Sequence, residues 1–301
     1  MKIKRTRPWK NLLYLLPSLT GVLIFYLIPF IDVLRKSFMD DMGRSFIGLQ
    51  NYSRLLHSSN FLLAGRNTLV FIACSTPLLL ALSLCTAIAL LSGRPDKSRP
   101  AHADEAHCSI RTLLYLLPFA IPVAALTGVW KIIFSRYGLL NTLLHFFGAA
   151  EIDWLHSKYS MLVVIITYLW RNFGYTMILW MAGLSAIHPQ LYEAAAMEGA
   201  GARQQFFYIT LPLLKPLGFT VSVLAVLNTF KVFRDIYLIC GDYPDKSIYM
   251  LQHILNNWFT NMEFGKITAA ALIIVFAAVW LVLGLQVGFS WQKRRNYYGQ
   301  D

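Results

Sequence analysis

The chain contains six apolar runs of about twenty residues, and no feature constrains its fold more. They lie near 12–31, 68–91, 112–134, 160–183, 217–240 and 268–290. A hydrocarbon core about 30 Å thick is crossed by about 20 helical residues at roughly 1.5 Å each. A backbone in that core satisfies its own hydrogen bonds, so each run is predicted to be a helix. The fold class expected is an all-α integral membrane protein, a bundle of six transmembrane helices. Pro17, Pro29, Pro77, Pro118 and Pro122 fall within the runs and are read as kinks that neighbouring helices absorb.

Composition agrees. The chain is 56% hydrophobic and 14% charged, against roughly 25% charged in soluble domains. Its net charge of +12 would suggest nucleic acid in a soluble protein. No basic stretch is interleaved with stacking aromatics on a polar module, so nucleic-acid binding is excluded and membrane lipid is the expected surrounding. Basic residues beside the spans instead report orientation. Fourteen Lys and Arg lie in the tails and even-numbered connections, and nine in the odd-numbered connections. Both termini, tails 1–11 and 291–301, are therefore expected in the cytoplasm. The N-terminal MKIKRTRPWK precedes a run too long for a signal peptide, with no small-x-small cleavage site after it, and reads as the lead of an uncleaved span.

Cys74, Cys85, Cys108 and Cys240 form no CxxC pair, so no disulfide or zinc framework is expected. The connection 93–110 gathers His102, Asp104, Glu105, His107 and Cys108. Its charged, proline-bearing composition reads as a solvated linker rather than a metal site, and no metal is assigned. There is no GxxxxGK[ST] phosphate loop and no soluble segment large enough to hold ATP. A chain of this kind that pumps takes its energy from another chain, and it is not itself expected to be an enzyme.

The fourth connection, 184–216, is neither span nor tight loop. Pro189 fits a first helical position, QLYEAAAME is strongly helix-forming, and Gly199 ends it. A second short helix is expected from Ala202 through Ile209, ended by Leu211–Pro212. Glu193 sits in a first turn where a carboxylate is favoured. Ala194, Ala195 and Ala196 let another surface approach closely, and Gly199 and Gly201 permit backbone geometry that other residues resist. The elbow reads as a docking knob or, on composition alone, equally as an interfacial hairpin.

The spacing separates these readings. Glu193-Ala194-Ala195, two residues, Glu198-Gly199-Ala200, eight residues, then Ile209-Thr210-Leu211-Pro212 resembles the cytoplasmic signature of ATP-binding-cassette importer permeases. Glu198 stands where those proteins usually have Asp. LLYLLPSLTGVLIFYLIPFIDVLRKSF, FIGLQNYSRLL, NTLVF, YGLLNTLLHFFG and DWL are similar to segments of sugar-type permeases, of the maltose-transporter kind with the larger outer lead.

The resemblance implies the partners. They are a second homologous permease, two ATPase subunits that bind ATP and Mg, and an extracellular solute-binding protein, in a bacterial-type inner membrane. It implies that Glu193, Ala194, Ala195, Ala196, Glu198, Gly199 and Ala200 dock an ATPase, whose closure rocks the spans. No cofactor is expected on this chain.

Charged residues within spans usually line a pathway or pair with each other. Arg171, Lys231, Arg234 and Asp235 are the candidates, with Lys131 near an outer end. Lys231 and Asp235, four apart, could form an ion pair. Tyr168, Trp170, Asn172 and Tyr175 combine ring faces with polar tips that suit a sugar, or equally an aromatic interface belt. The resemblance implies that these segments of spans 4 and 5 line the sugar site, as in maltose-type relatives, with Trp170 and Tyr175 matching residue type by position and Asn228 matching an amide across a one-residue gap before Pro216. The substrate-pathway set expected is Tyr168, Trp170, Asn172, Tyr175, Asn228, Lys231 and Asp235. Arg171 and Lys231 leave open an acidic solute. An alternative is a secondary transporter using Asp235 as its coupling acid.

Overall fold

A computed structural model describes residues 8–92 and 112–295. The linker 93–110, with its candidate metal-binding side chains, and the outer parts of both tails lie outside the described residues. Among the described residues the regular structure is helical, apart from one isolated antiparallel bridge between Met39 and Phe46. Six stretches are long and apolar enough to cross a membrane: Tyr14–Ser37, Ser59–Leu91, Val123–Phe146, Ser160–Ser185, Ala202–Cys240 and Phe264–Phe289.

The helices are α1 Pro8–Val22, α2 Ile28–Ser37, α3 Gln50–Leu56, α4 Ser59–Ser92, α5 112–120, α6 Val123–Phe134 and α7 Leu139–Phe146, followed by α8 Ser160–Ser185, α9 Pro189–Met197, α10 Ala202–Gln205, α11 Leu211–Thr229, α12 Val232–Cys240, α13 Leu251–Thr260 and α14 Phe264–Arg295. They divide into two compact units. One comprises the described residues up to Leu62 with Leu255–Ala278, and the other Leu63–Ile254 with the described residues from Val279 onward.

In the first unit, α1 and α2 are joined through a π-helical turn, Leu23–Leu27, whose last bond runs from Ile28 N–H to Leu23 O. Proline follows directly at Pro29. A proline in a helix lacks an N–H and its ring crowds the carbonyl four residues back. The wider turn ahead of it relieves both problems without ending the helix. None of the apolar window of this span is buried within the chain. Behind it the FIGLQNY segment is a hydrogen-bonded clasp. Asn51, fully buried, donates to Ser37 O (3.0 Å) and Met39 O (2.8 Å). Tyr52 donates to Ser37 Oγ (2.8 Å).

The second unit is built on two buried clusters. Phe71, Leu79, Val164, Tyr168, Ala225, Val232, Ile236, Ile248 and Met250 form one between α4, α8, α11 and α12. Ala87, Met177, Trp180, Leu214 and Val221 form the other, further along the same helices. Two more asparagines act as latches. Asn67 donates to Lys246 O (2.7 Å) and Tyr249 O (2.9 Å), tying α4 to the segment before α13. Asn141 donates to Arg136 O and Ile152 O, and accepts from Ile152 N–H and Trp154 Nε1–H. The NTL, LLN and DWL segments are thus the joints between these helices and their connecting loops.

Two expected elements are corrected. The 112–134 run divides at Ile121–Pro122, because the residue before a proline is pushed out of the α region, and Pro122 is the N-cap of α6 at ψ 140°. The second elbow helix does not end at Leu211–Pro212. A π turn, Phe206–Thr210, closes with Leu211 N–H bonded to Phe206 O, so helical backbone runs from α10 into α11 through Pro212. The relation to proline is the same as at Pro29.

Candidate functional site: a docking elbow and a charged cavity

The elbow is defined by its turn. α9 starts with Pro189 and ends in a Schellman motif. Ala200 N–H donates to Ala195 O (2.9 Å) and Gly199 N–H to Ala196 O (3.0 Å), so two carbonyls at the helix end are satisfied by backbone alone. Gly199 sits at φ +85°, the left-handed region glycine tolerates. Gly201, at φ −71°, does not use that freedom, which corrects the expectation for it. Its N–H instead donates to Gln204 Oε1 (2.9 Å) at the start of α10.

Glu193, Ala194, Ala196, Glu198 and Gly199 are exposed, and Ala195 and Ala200 are half-buried. Met197, 91% exposed on the same short helix, was not singled out by sequence. Its signal was a large apolar side chain directly after three alanines in the last turn of the helix. Tyr192 faces inward, its hydroxyl 2.9 Å from Thr210 Oγ1. Glu193 borders a cavity of about 470 Å³ beneath the elbow, lined also by Ile88, Leu184, Tyr192, Phe206 and Thr210.

The charged residues of α8 and α12 meet in a second cavity of about 340 Å³. The span carrying them is broken: α11 ends at Thr229, and α12 begins at Val232 with Lys231 as its N-cap. Lys231 therefore leads directly into the helix that carries Asp235 four residues on, but both side chains take other partners. Lys231 Nζ donates instead to Asn228 Oδ1 (2.8 Å). Asp235 Oδ1 accepts from Arg171 Nη1 at 3.0 Å. The expected Lys231–Asp235 pair is corrected accordingly.

The cavity brings together Tyr168, Asn172, Asn228, Lys231 and Asp235 from the expected set. It adds Arg171 and Arg234, with walls from Phe119, Phe230 and Phe233. It does not include Trp170 or Tyr175. Trp170 turns to Trp130, edge to face at 5.2 Å, and Tyr175 stacks on Phe119 at 4.9 Å. Tyr168 is 3% exposed, and its hydroxyl donates to Ala225 O (2.9 Å). It serves as a packed wall whose polar tip is already used. Behind Phe233 lies His253, fully buried, its ring edge to face with Phe233 at 4.8 Å.

A multi-pass helical protein with an exposed elbow tied to a cavity-lining span is the architecture of a transport permease. The family model for the binding-protein-dependent transport system inner membrane component matches residues 103–295, and the chain belongs to that family. It is 29% identical to the trehalose/maltose transport system permease protein MalF of Thermococcus litoralis, covering 94% of this chain and 96% of that protein. It is 29% identical to the sn-glycerol-3-phosphate transport system permease protein UgpA of Brucella abortus, over 98% and 99%. In structure it is similar to a chain of a bacterial ABC transporter involved in the import of the acidic polysaccharide alginate. That match has a TM-score of 0.79 at 22% identity and covers 94% of this chain and 98% of the other.

Proposed function

We propose that this chain forms half of a transmembrane pathway for a carbohydrate delivered by an extracellular binding protein. A second, homologous permease supplies the other half, and two separate ATPase subunits, which bind ATP and Mg, supply the energy. Both termini face the cytoplasm, as the bias of Lys and Arg toward the tails and even-numbered connections supports.

One observation carries the reading. The exposed helix α9 is hydrogen-bonded through Tyr192 to Thr210 at the base of the helix whose far end borders the charged cavity. A push on Glu193–Ala200 is therefore delivered to the span rather than dissipated in a loop, which suits rigid-body rocking. The names of the relatives, which cover sugars, a polyol phosphate and an acidic polysaccharide, support a carbohydrate-like solute. The pairing of Asp235 with Arg171 argues against the ion-coupled alternative, since a coupling acid must be free to exchange its proton.

The test is co-purification of the ATPase and ATP-dependent uptake in proteoliposomes. Gly199→Asp places a branched, charged side chain at φ +85° on the docking face. It is expected to abolish both while the permease still reaches the membrane. Full uptake in that variant would overturn the docking assignment.

A further inference from the structure

We infer that the solute carries a negative group, a carboxylate or a phosphate, held in the cavity by Lys231 and Arg234. This rests on the importer reading above and names the substrate class of the same cavity.

The inference starts from charge. Four ionised side chains line the 340 Å³ cavity: Arg171, Lys231, Arg234 and Asp235. Arg171 and Asp235 neutralise each other at 3.0 Å. Among the described residues the partner of Lys231 is the amide oxygen of Asn228, and an amide stabilises a cation without cancelling its charge. Arg234 lines the same cavity, and the one carboxylate nearby is engaged by Arg171. The cavity thus holds two uncompensated positive charges in a membrane-spanning segment. Such charge is costly there and is retained where it faces a pathway or a ligand.

The geometry makes the excess specific. Lys231 is the N-cap of α12 with Asp235 four residues on, yet Lys231 donates to Asn228 and Asp235 accepts from Arg171. Phe119, Phe230 and Phe233 contribute rings to the cavity lining, and Lys231 and Arg234 are exposed there, where a ligand can reach them. An ammonium and a guanidinium one turn apart suit two oxygens of one carboxylate or phosphate. The rings and the Asn172 and Asn228 amides serve the neutral remainder of a sugar or polyol.

The whole importer, reconstituted with its binding protein and ATPase, is offered trigalacturonate, glycerol 3-phosphate and maltotriose. The first two separate carboxylate from phosphate, and the third is neutral. ATP-dependent uptake of one anionic probe is expected to exceed that of maltotriose at least tenfold. Lys231→Gln and Arg234→Gln are each expected to raise its KM about tenfold, and Lys231→Arg to restore it.

Asn228→Asp keeps the side-chain shape and sets a carboxylate against Lys231. It should depress anion uptake as Lys231→Gln does, even if a Gln variant fails to assemble. Preferred uptake of maltotriose overturns the inference while leaving the importer reading intact, as does anion uptake indifferent to all three substitutions. ATP-dependent uptake of none of the probes overturns it too, and ATPase co-purification then tells whether the importer reading falls with it.

Discussion

Arg171 and Asp235, separated by 64 residues in sequence, are joined at 3.0 Å with 24% and 18% of their side chains exposed. The pair holds α8 to α12 on the far side of the break in the fifth span. Removing Asp235 leaves Arg171 half-buried without its partner, a loss of about 3 kcal/mol, whereas removing Arg171 leaves Asp235 beside Arg234 in the same cavity. Arg171→Ala or Asp235→Ala is expected to lower the midpoint of thermal unfolding of the detergent-solubilised complex clearly. The double variant is expected to recover part of the loss, because no orphaned charge remains. A double variant as unstable as the sum of the singles would show that the pair does not act as a unit.

Gly199 and Gly201 separate backbone geometry from open space. A Cβ at either would meet nothing within 4 Å, but only Gly199 has positive φ. Gly199→Ala is expected to cost about 1 kcal/mol in the α9 cap and to speed hydrogen exchange at the Gly199 and Ala200 amides several-fold. Gly201→Ala is expected to leave both exchange and ATPase co-purification at the level of the unaltered protein.

Tyr192→Phe removes one hydrogen bond, to Thr210, worth about 1 kcal/mol. The exposed face proposed to dock the ATPase is untouched, so the ATPase is expected to co-purify normally. The solute carried per ATP hydrolysed is expected to fall. An unchanged transport-to-hydrolysis ratio would mean that the elbow is coupled to the span by other contacts.

Gly174 lies where α8 meets the backbone at Tyr115, and a Cβ there would fall on the Tyr115 carbonyl. Backbone cannot move aside as a side-chain tip can. Gly174→Ala is expected to lower expression and thermal stability severely. At Gly183 the obstacle is the end of the Leu217 side chain, and Gly183→Ala is expected to be the milder change.

His253 gives the pH dependence. Burial pushes its imidazole down to about 4, opposed by the negative charge of Asp242. Nδ1 accepts from Met250 N–H (3.2 Å), and Nε2 is buried without a hydrogen-bond partner. The ring is neutral in the fold and protonates near pH 6.5 once unfolded. Its contribution is therefore complete above about pH 6.5 and is lost as pH falls toward 4, on the order of 3 kcal/mol in all. His253→Phe is expected to flatten the stability profile of the complex between pH 6.5 and 4. An unaltered profile would exclude His253 as its source.

What could be read from sequence divides by distance along the chain. The elbow was legible because its determinants lie within a dozen residues: Pro189 opening a helix, Gly199 closing it, and alanines between. The six apolar stretches were legible because a bilayer imposes their length. The break at Phe230–Lys231 was not, since NTFKVF contains neither glycine nor proline. The Arg171–Asp235 pair depends on which faces of two helices meet, which no local pattern specifies. Trp170 was a different kind of miss. It lies about 200° around the helix from Tyr168, so helical period alone separates it from Tyr168, Arg171 and Asn172. It was grouped with them by chemical type.

The two prolines preceded by π turns have a further consequence. Because Pro212 is absorbed rather than allowed to end the helix, backbone from Ala202 to Thr229 is helical throughout. At about 1.5 Å per residue that is roughly 40 Å, close to the full thickness of a bilayer with its headgroups. A displacement imposed at Gly201 can emerge beside Lys231 without any segment melting and refolding on the way. The first interruption of that rod is the turn at Phe230–Lys231, between α11 and α12.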